Sequence, residues 1–500
     1  MGSLEHFVTG LAITLRPENL FFCFIGVFVG TLVGVLPGIG PVGTISILLP
    51  MTFHLTPVSA IIMLAGIYYG SQYGGSTTSI LVNIPGEASS VITCLDGYQM
   101  ARKGRAGPAL AMAAYGSFIA GTISIIGLQF LAPPLMKVAI KFGPAEYFAM
   151  MLVGLSLVTY LGQKSTGRAI MMASLGLVLS TVGLDPVFST PRYTFNLNDL
   201  RDGIGLVPLV MGMFGVSEVL LNIETEIKRD IFKTRIKGLF GSLQDWKDSK
   251  WSLVRGSLIG FFLGILPGAG PIMASFVSYA VEKKVSHHPE KFGTGVIEGV
   301  AAPEAANNAA AGGTFIPLMT LGIPANAGTA ILLGALILQG VQPGPLLLVQ
   351  HPDVFWGVVA SMYIGNIMLL VLNLPLIGIW VQVLRVPYPI LFPFILFFCV
   401  VGSYTLNNNV VDLLLMIFFG LFGYLLRRFG FEVAPLVLAF VLGPIMETSM
   451  RQALILSKGS FKIFIDHPIA AAGILLVILI FASSLLPWVK GKKEVISELD

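Results

Sequence analysis

Apolar runs separated by short polar or glycine–proline breaks recur along the whole chain. They cover roughly Leu20–Leu36, Val58–Tyr69, Pro108–Ala132, Tyr147–Leu161, Ala169–Val182 and Ile204–Leu221. They resume near Leu253–Leu266, Ile272–Val281, Ile331–Leu338, Val354–Leu376, Ile390–Val401, Leu413–Leu426, Val433–Leu442 and Ile469–Val489. A full bilayer crossing needs about 20 apolar residues, and several runs are shorter or interrupted. The pattern predicts an all-α polytopic membrane protein of about 10 to 12 transmembrane helices, with broken helices and re-entrant hairpins.

Composition supports that class. Hydrophobic residues make up 55% and charged residues 11%, against about 25% charged in soluble domains, and mean hydropathy is +0.84. A soluble fold could not hide so much apolar surface, and a disordered chain would be more charged. The formal charge of +4 is dispersed and argues against a nucleic-acid partner. Cys23, Cys94 and Cys399 show no CxxC spacing, so neither a disulfide framework nor a metal site is expected. No basic stretch precedes an apolar run at the N-terminus, so a cleaved signal peptide is not expected.

The interval Glu224–Trp251 is the one long charged stretch, with Lys228, Arg229, Lys233, Arg235, Lys237, Lys247 and Lys250 among its acids. Such basic loops mark the cytoplasmic side. Around it the chain repeats. GVFVGTLVGVLPGIGP (Gly26–Pro41) matches GSLIGFFLGILPGAGP (Gly256–Pro271), and Gly74-Gly75 before NIPGEASS resembles Gly312-Gly313 before GIPANAGT. The duplication divides the chain into a first repeat (1–223), a cytoplasmic linker (224–252) and a second repeat (253–462). A final helix with a cytoplasmic tail occupies 463–500.

Charges at matched loops point to two inverted repeats. Arg102, Lys103 and Arg105 answer the uncharged GVQPGPLLLVQ, Lys164 and Arg168 answer YTLNNNVVD, and the lysines of Glu282–Lys291 answer TFHLTPVSAI. Two pairs run the other way: Lys137 and Lys141 match a region with Arg385, and Arg451, Lys458 and Lys462 fall on the expected outer side.

Two constellations carry candidate chemistry. In the twin LPGxGP motif, Pro37 and Pro267 interrupt the hydrogen-bond ladder while Gly38, Gly40, Gly268 and Gly270 permit unusual dihedrals. A helix restarting after such a break offers free N–H groups and a positive dipole end to an anion. One such motif reads as a packing kink; two at matched positions read as a transporter site. The second constellation is a pair of polar small-residue segments, expected as hairpins. Ser76, Thr77, Thr78, Asn83, Glu304, Asn307, Asn308, Thr314 and Asn326 supply oxygens and N–H groups suited to a hard monovalent cation or a carboxylate. Glu304 is a candidate intramembrane ionisable group, the rival reading being an interfacial carboxylate at a helix start. Glu87 is expected at the interface, and the matched place in the first half provides hydroxyls without an acid.

GxxxxGK[ST], HExxH and GxSxG are absent, and the six histidines are scattered. An intramembrane enzyme such as a hydrolase would lack a nucleophile–base pair of known spacing. A channel would not need two interrupted, inverted motifs.

These residues together resemble a known family. GxLPGxGP in both halves, YGGSTTSILVNIPGEA, LDGYQMARKG and GVAAPEAANNAAAGGTFIPLMTLGIP are similar to the large membrane subunit of the tripartite tricarboxylate transporters, the TctA family. The resemblance runs from Pro17 to the final helix. It implies a bacterial inner-membrane secondary transporter driven by Na⁺ or H⁺, with no other cofactor. It also implies a TctB-like small membrane subunit of about four helices, and a TctC-like periplasmic solute-binding protein that delivers an organic carboxylate. The family pattern carries onto Pro37, Gly38, Gly40, Pro267, Gly268, Gly270, Asn83, Pro85, Glu304, Asn307, Asn308 and Pro324. Ala325 stands where the family usually has Gly and is followed by Asn326, so the resemblance does not name the carboxylate. The expected arrangement puts substrate beside Pro37, Gly38, Gly40, Asn83, Pro85, Pro267, Gly268, Gly270, Pro324 and Asn326. A cation would sit beside Ser76, Thr77, Glu304, Asn307, Asn308 and Thr314.

Overall fold

A computed structural model describes residues 3–36, 40–161, 165–224, 238–384, 386 and 388–484. The principal helices of the first half are α1 (Ser3–Thr14), α2 (Pro17–Val35), α3 (Gly40–Leu48), α4 (Pro57–Val82), α5 (Ala106–Ala139), α6 (Pro144–Leu161), α7 (Thr166–Leu179) and α8 (Leu206–Glu224). The second half begins with α9 (Leu243–Ile265), α10 (Gly270–Val285), α11 (Glu298–Gly313), α12 (Phe315–Leu321) and α13 (Ala327–Leu338). It continues through α14 (Pro352–Asn373), α15 (Tyr388–Asn407), α16 (Val410–Arg428), α17 (Ala434–Leu456) and α18 (Pro468–Ser484). Among the described residues the only strands are a two-residue antiparallel pair, β1 (Gly183–Leu184) and β2 (Pro191–Arg192).

The fold is an all-α polytopic membrane protein. Five described helices are long and apolar enough to cross a bilayer (α2, α5, α8, α14 and α16), and five shorter apolar ones accompany them.

Glycine spacing sets the central packing. A side chain at Gly26, Gly30 or Gly34 would strike the carbonyl of Met63, Ile67 or Ser71, so α2 and α4 lie parallel with their backbones in contact. The second half does the same: Gly256, Gly260 and Gly264 of α9 sit on the carbonyls of Ala302, Ala306 and Ala310 of α11. Without a hydrophobic drive between helices in lipid, such close backbone approach supplies the dispersion contacts that hold a pair. Between the halves, α5 and α14 run antiparallel: Tyr363 Oη donates to Gln129 Oε1 at 2.9 Å and Asn366 Nδ2 to the Phe118 carbonyl at 2.9 Å.

The polar small-residue segments differ from expectation. YGGSTTS is not a hairpin but the last turns of α4, and PEAANNA is the middle of α11. Both are almost wholly buried, because small side chains let neighbouring helices close over them. The linker read to Trp251 also ends earlier. Ser242 and Asp245 form a reciprocal cap, so α9 starts at Leu243. The basic residues 228–237 and the tail beyond 484 lie outside the described residues.

Two buried carboxylates in the connecting segments fix loops. Asp96, fully buried, accepts from the backbone N–H of Gly293, Gly295 and Val296 and from the Tyr279 hydroxyl, tying the segment after α4 to the loop before α11. Asp185 anchors the β1–β2 turn. It accepts from the backbone of Phe188 and Val187 at 2.8 Å each and from Arg451 Nη2 at 2.8 Å. The Phe188 N–H above all holds its carboxyl below the usual aspartate range.

Candidate functional site

Each half breaks its helical backbone twice. In the second half α9 stops at Ile265, Gly268 and Gly270 take positive φ (85° and 54°), and α10 restarts at Gly270. Further on α12 stops at Gly322, and α13 restarts behind Asn326, whose Oδ1 accepts from the Thr329 N–H at 3.0 Å. In the first half α2 stops at Val35 and α3 restarts at Gly40, while α4 ends on Asn83 in the left-handed conformation.

These breaks converge on one cavity of about 700 Å³, within the range of small-ligand sites. Gly40 and Gly43 of α3, Gly270 and Pro271 of α10, Gly328 of α13 and Ala434 and Pro435 of α17 all line it. Four helix N-termini therefore meet one space, each with first-turn N–H groups that lack an intrahelical partner and a positive dipole end. Such an arrangement of N-termini is chemically suited to an anion.

Of the substrate residues expected from sequence, Gly40, Pro85, Gly268, Gly270 and Asn326 line the cavity. Asn83, Pro267 and Pro324 shape the breaks without lining it, and Pro37 and Gly38 lie outside the described residues.

The residues expected at a cation gather behind the cavity wall. Glu304 is neither interfacial nor at a helix start: it is fully buried, seven residues into α11. Ser76 Oγ donates to its Oε2 at 2.5 Å and Thr93 to its Oε1. Asn308 Nδ2 donates to Ser117 Oγ at 2.6 Å, and Asn307 Nδ2 to Glu87 Oε1 at 3.4 Å. Asn307 Oδ1 is buried with no protein partner. Ser76 and Thr77 also line a space of about 10 Å³, with Asn373, whose Oδ1 is likewise unpartnered. Thr314 stands apart, donating to the Tyr68 hydroxyl at 3.4 Å.

Glu87 corrects the reading of the first half. Expected at the interface, it is 8% exposed, lines the cavity, and accepts from the Ser89 N–H at 2.8 Å. The first half therefore does bring an acid to the cluster. Hydroxyls, amides and backbone meet Glu87 and Glu304, and no base stands among these partners. Burying a carboxylate without a countercharge costs several kcal/mol, which a bound cation or proton removes. Sequence reasoning also missed Tyr68, Gln72, Glu218 and Arg427, all lining the cavity. Tyr68 sat inside an apolar run, yet its hydroxyl accepts from Asn326 Nδ2 at 2.7 Å.

Comparison with known proteins finds a family and two relatives. The family described as "Tripartite tricarboxylate transporter TctA family" matches residues 20–438. An uncharacterized 52.8 kDa protein in the TAR-I ttuC' 3' region of Agrobacterium vitis is 49% identical over 494 residues, covering 99% of this chain and 98% of that protein. An uncharacterized protein in the TAR-II ttuC' 3' region of the same organism is 52% identical over 237 residues, 47% of this chain and 97% of that protein. No solved structure matches the chain.

Proposed function

The chain belongs to the tripartite tricarboxylate transporter TctA family, and from that premise we propose that it is the large transmembrane subunit of a binding-protein-dependent secondary transporter that uses a cation gradient to import an organic di- or tricarboxylate. The observation that carries this reading is the cavity where four helix N-termini and the breaks of both halves meet. The substrate carboxylates sit against Gly40, Gly268, Gly270 and Asn326. The coupling cation, Na⁺ or H⁺, sits by Glu87, Glu304, Asn307 and Asn308, where buried acids lack a base.

In this reading the two halves are inverted repeats, in keeping with the swapped loop charges. The protein lies in a bacterial inner membrane beside a TctB-like subunit of about four helices, and a TctC-like periplasmic protein delivers the substrate. Counterflow in proteoliposomes tests the reading. Preloaded unlabelled carboxylate should drive uptake of labelled carboxylate against its gradient, and the exchanged compound should be recovered intact. Chemical conversion of the substrate points to an enzyme, and uptake that never exceeds equilibration points to a channel.

A further inference from the structure

An anion cavity whose charged side chains are mostly acidic poses an electrostatic problem. Among the described lining residues Glu87, Glu218 and Glu432 are acids, and Arg427 is the one base. Helix N-termini contribute only partial charges, each equivalent to about half an elementary charge. A polycarboxylate entering this space meets a single full positive charge.

Arg427 lies in the last turn of α16, and its Nη1 donates to Glu218 Oε2 of α8. Its guanidinium carbon lies 5.5 Å from the Phe214 ring centroid. Phe214 holds the planar face, and the pairing to Glu218 runs through one nitrogen and one oxygen. A guanidinium has five donors in a fork that fits a carboxylate two-on-two, so an incoming carboxylate can bind it more fully than Glu218 does. Both partners are partly exposed, so the exchange leaves no charge buried alone.

Resting on the proposed carboxylate-carrier function, we propose that Arg427 grips one carboxylate of the substrate and that Glu218 is its stand-in when no substrate is bound. The remaining carboxylate or carboxylates of the same molecule face the helix N-termini across the cavity. This two-ended recognition selects di- and tricarboxylates over monocarboxylates: a monocarboxylate satisfies one end only.

The test is binding by the purified full chain, read as the shift in melting temperature with citrate, succinate and acetate over a concentration series. Wild type should bind citrate or succinate more tightly than acetate. Arg427→Gln should weaken the polycarboxylate by roughly 10- to 100-fold, the loss expected for a charged hydrogen-bonded contact, and should collapse its advantage over acetate. Arg427→Lys should keep part of that advantage. Glu218→Gln, which removes the competitor, should tighten polycarboxylate binding several-fold. Ligand-free melting and gel filtration identify a variant that merely fails to fold; if Arg427→Gln does so, Arg427→Lys and Glu218→Gln decide. Wild type bound by none of the three overturns the carboxylate-carrier reading and this inference with it. Wild-type binding with unchanged discrimination in Arg427→Gln overturns this inference alone.

Discussion

Gly268 donates its backbone N–H to the carbonyl of Ala325 across 2.7 Å. The bond joins the break between α9 and α10 to the break between α12 and α13, so two unwound segments hold each other without a side chain. Position 268 tolerates little else. Its φ of +85° disfavours any L side chain, and a Cβ would lie 2.8 Å from the Val158 nitrogen. Gly268→Val should abolish uptake while protein reaches the membrane in normal amount. The left-handed backbone alone costs about 1–2 kcal/mol, and the contact with the Leu157–Val158 backbone adds to it, so uptake is read per amount of folded protein in the membrane. Transport near wild-type level in this variant would remove the second break from the site. Gly38→Val, at the matched place outside the described residues, should behave likewise.

Coupling separates into two measurements: uptake against Na⁺ at fixed pH, and uptake against pH at fixed Na⁺. With Na⁺ as the ion, Asn307→Ala and Asn308→Ala should each raise the Na⁺ concentration for half-maximal uptake several-fold, and Glu87→Gln should do the same. With protons, Na⁺ should have no effect, and Glu304→Gln should uncouple uptake from pH. A variant lacking both carboxylates that still concentrates substrate under either gradient rules out the buried acids as the coupling site.

Asp96→Asn should lower the melting temperature of the purified protein without altering substrate affinity in the folded fraction. The carboxylate serves three backbone N–H groups and a hydroxyl. Hydrogen bonds to a charged group contribute about 1.5–3 kcal/mol each, and an amide replaces one acceptor oxygen with a donor. An unchanged melting curve would mean that the loop before α11 is held by other contacts.

The β1–β2 turn should loosen in acid. Because folding depresses the Asp185 pKa, its stabilisation is complete above the ordinary aspartate value and is lost as pH falls through the lower folded value. Amide exchange at Val187 and Phe188, corrected for intrinsic rate, should be slow at neutral pH and accelerate below about pH 4. Asp185→Asn should exchange fast at every pH. Protection that persists at pH 2 would show that the turn does not depend on this charge.

Much of the architecture was legible because the relevant signals are local. Pro and Gly in LPGxGP fix where the backbone breaks, and glycines four apart along Gly26–Gly34 and Gly256–Gly264 announce a close helix neighbour. YGGSTTS misled for the opposite reason. In water such a run reads as a loop, whereas between membrane helices the same small residues are what a tightly packed helix requires. Glu87 and Arg427 were not legible at all. The one looks like any acid after a Pro-Gly turn and the other like a basic helix end. Only tertiary packing brings Glu87 to Asn307 and Arg427 to Glu218.

Parallel neighbours have a bearing on synthesis at the ribosome. A helix hairpin forms as soon as its second arm emerges, but α2 cannot meet α4 until the chain has turned back through α3 and returned. Its row of glycines therefore enters the bilayer with no partner and waits for about forty residues of further translation. The same delay recurs between α9 and α11. During both intervals the nascent protein presents a bare backbone groove to lipid and to any other small-residue helix, so these are the stages at which insertion factors and membrane proteases have most to recognise.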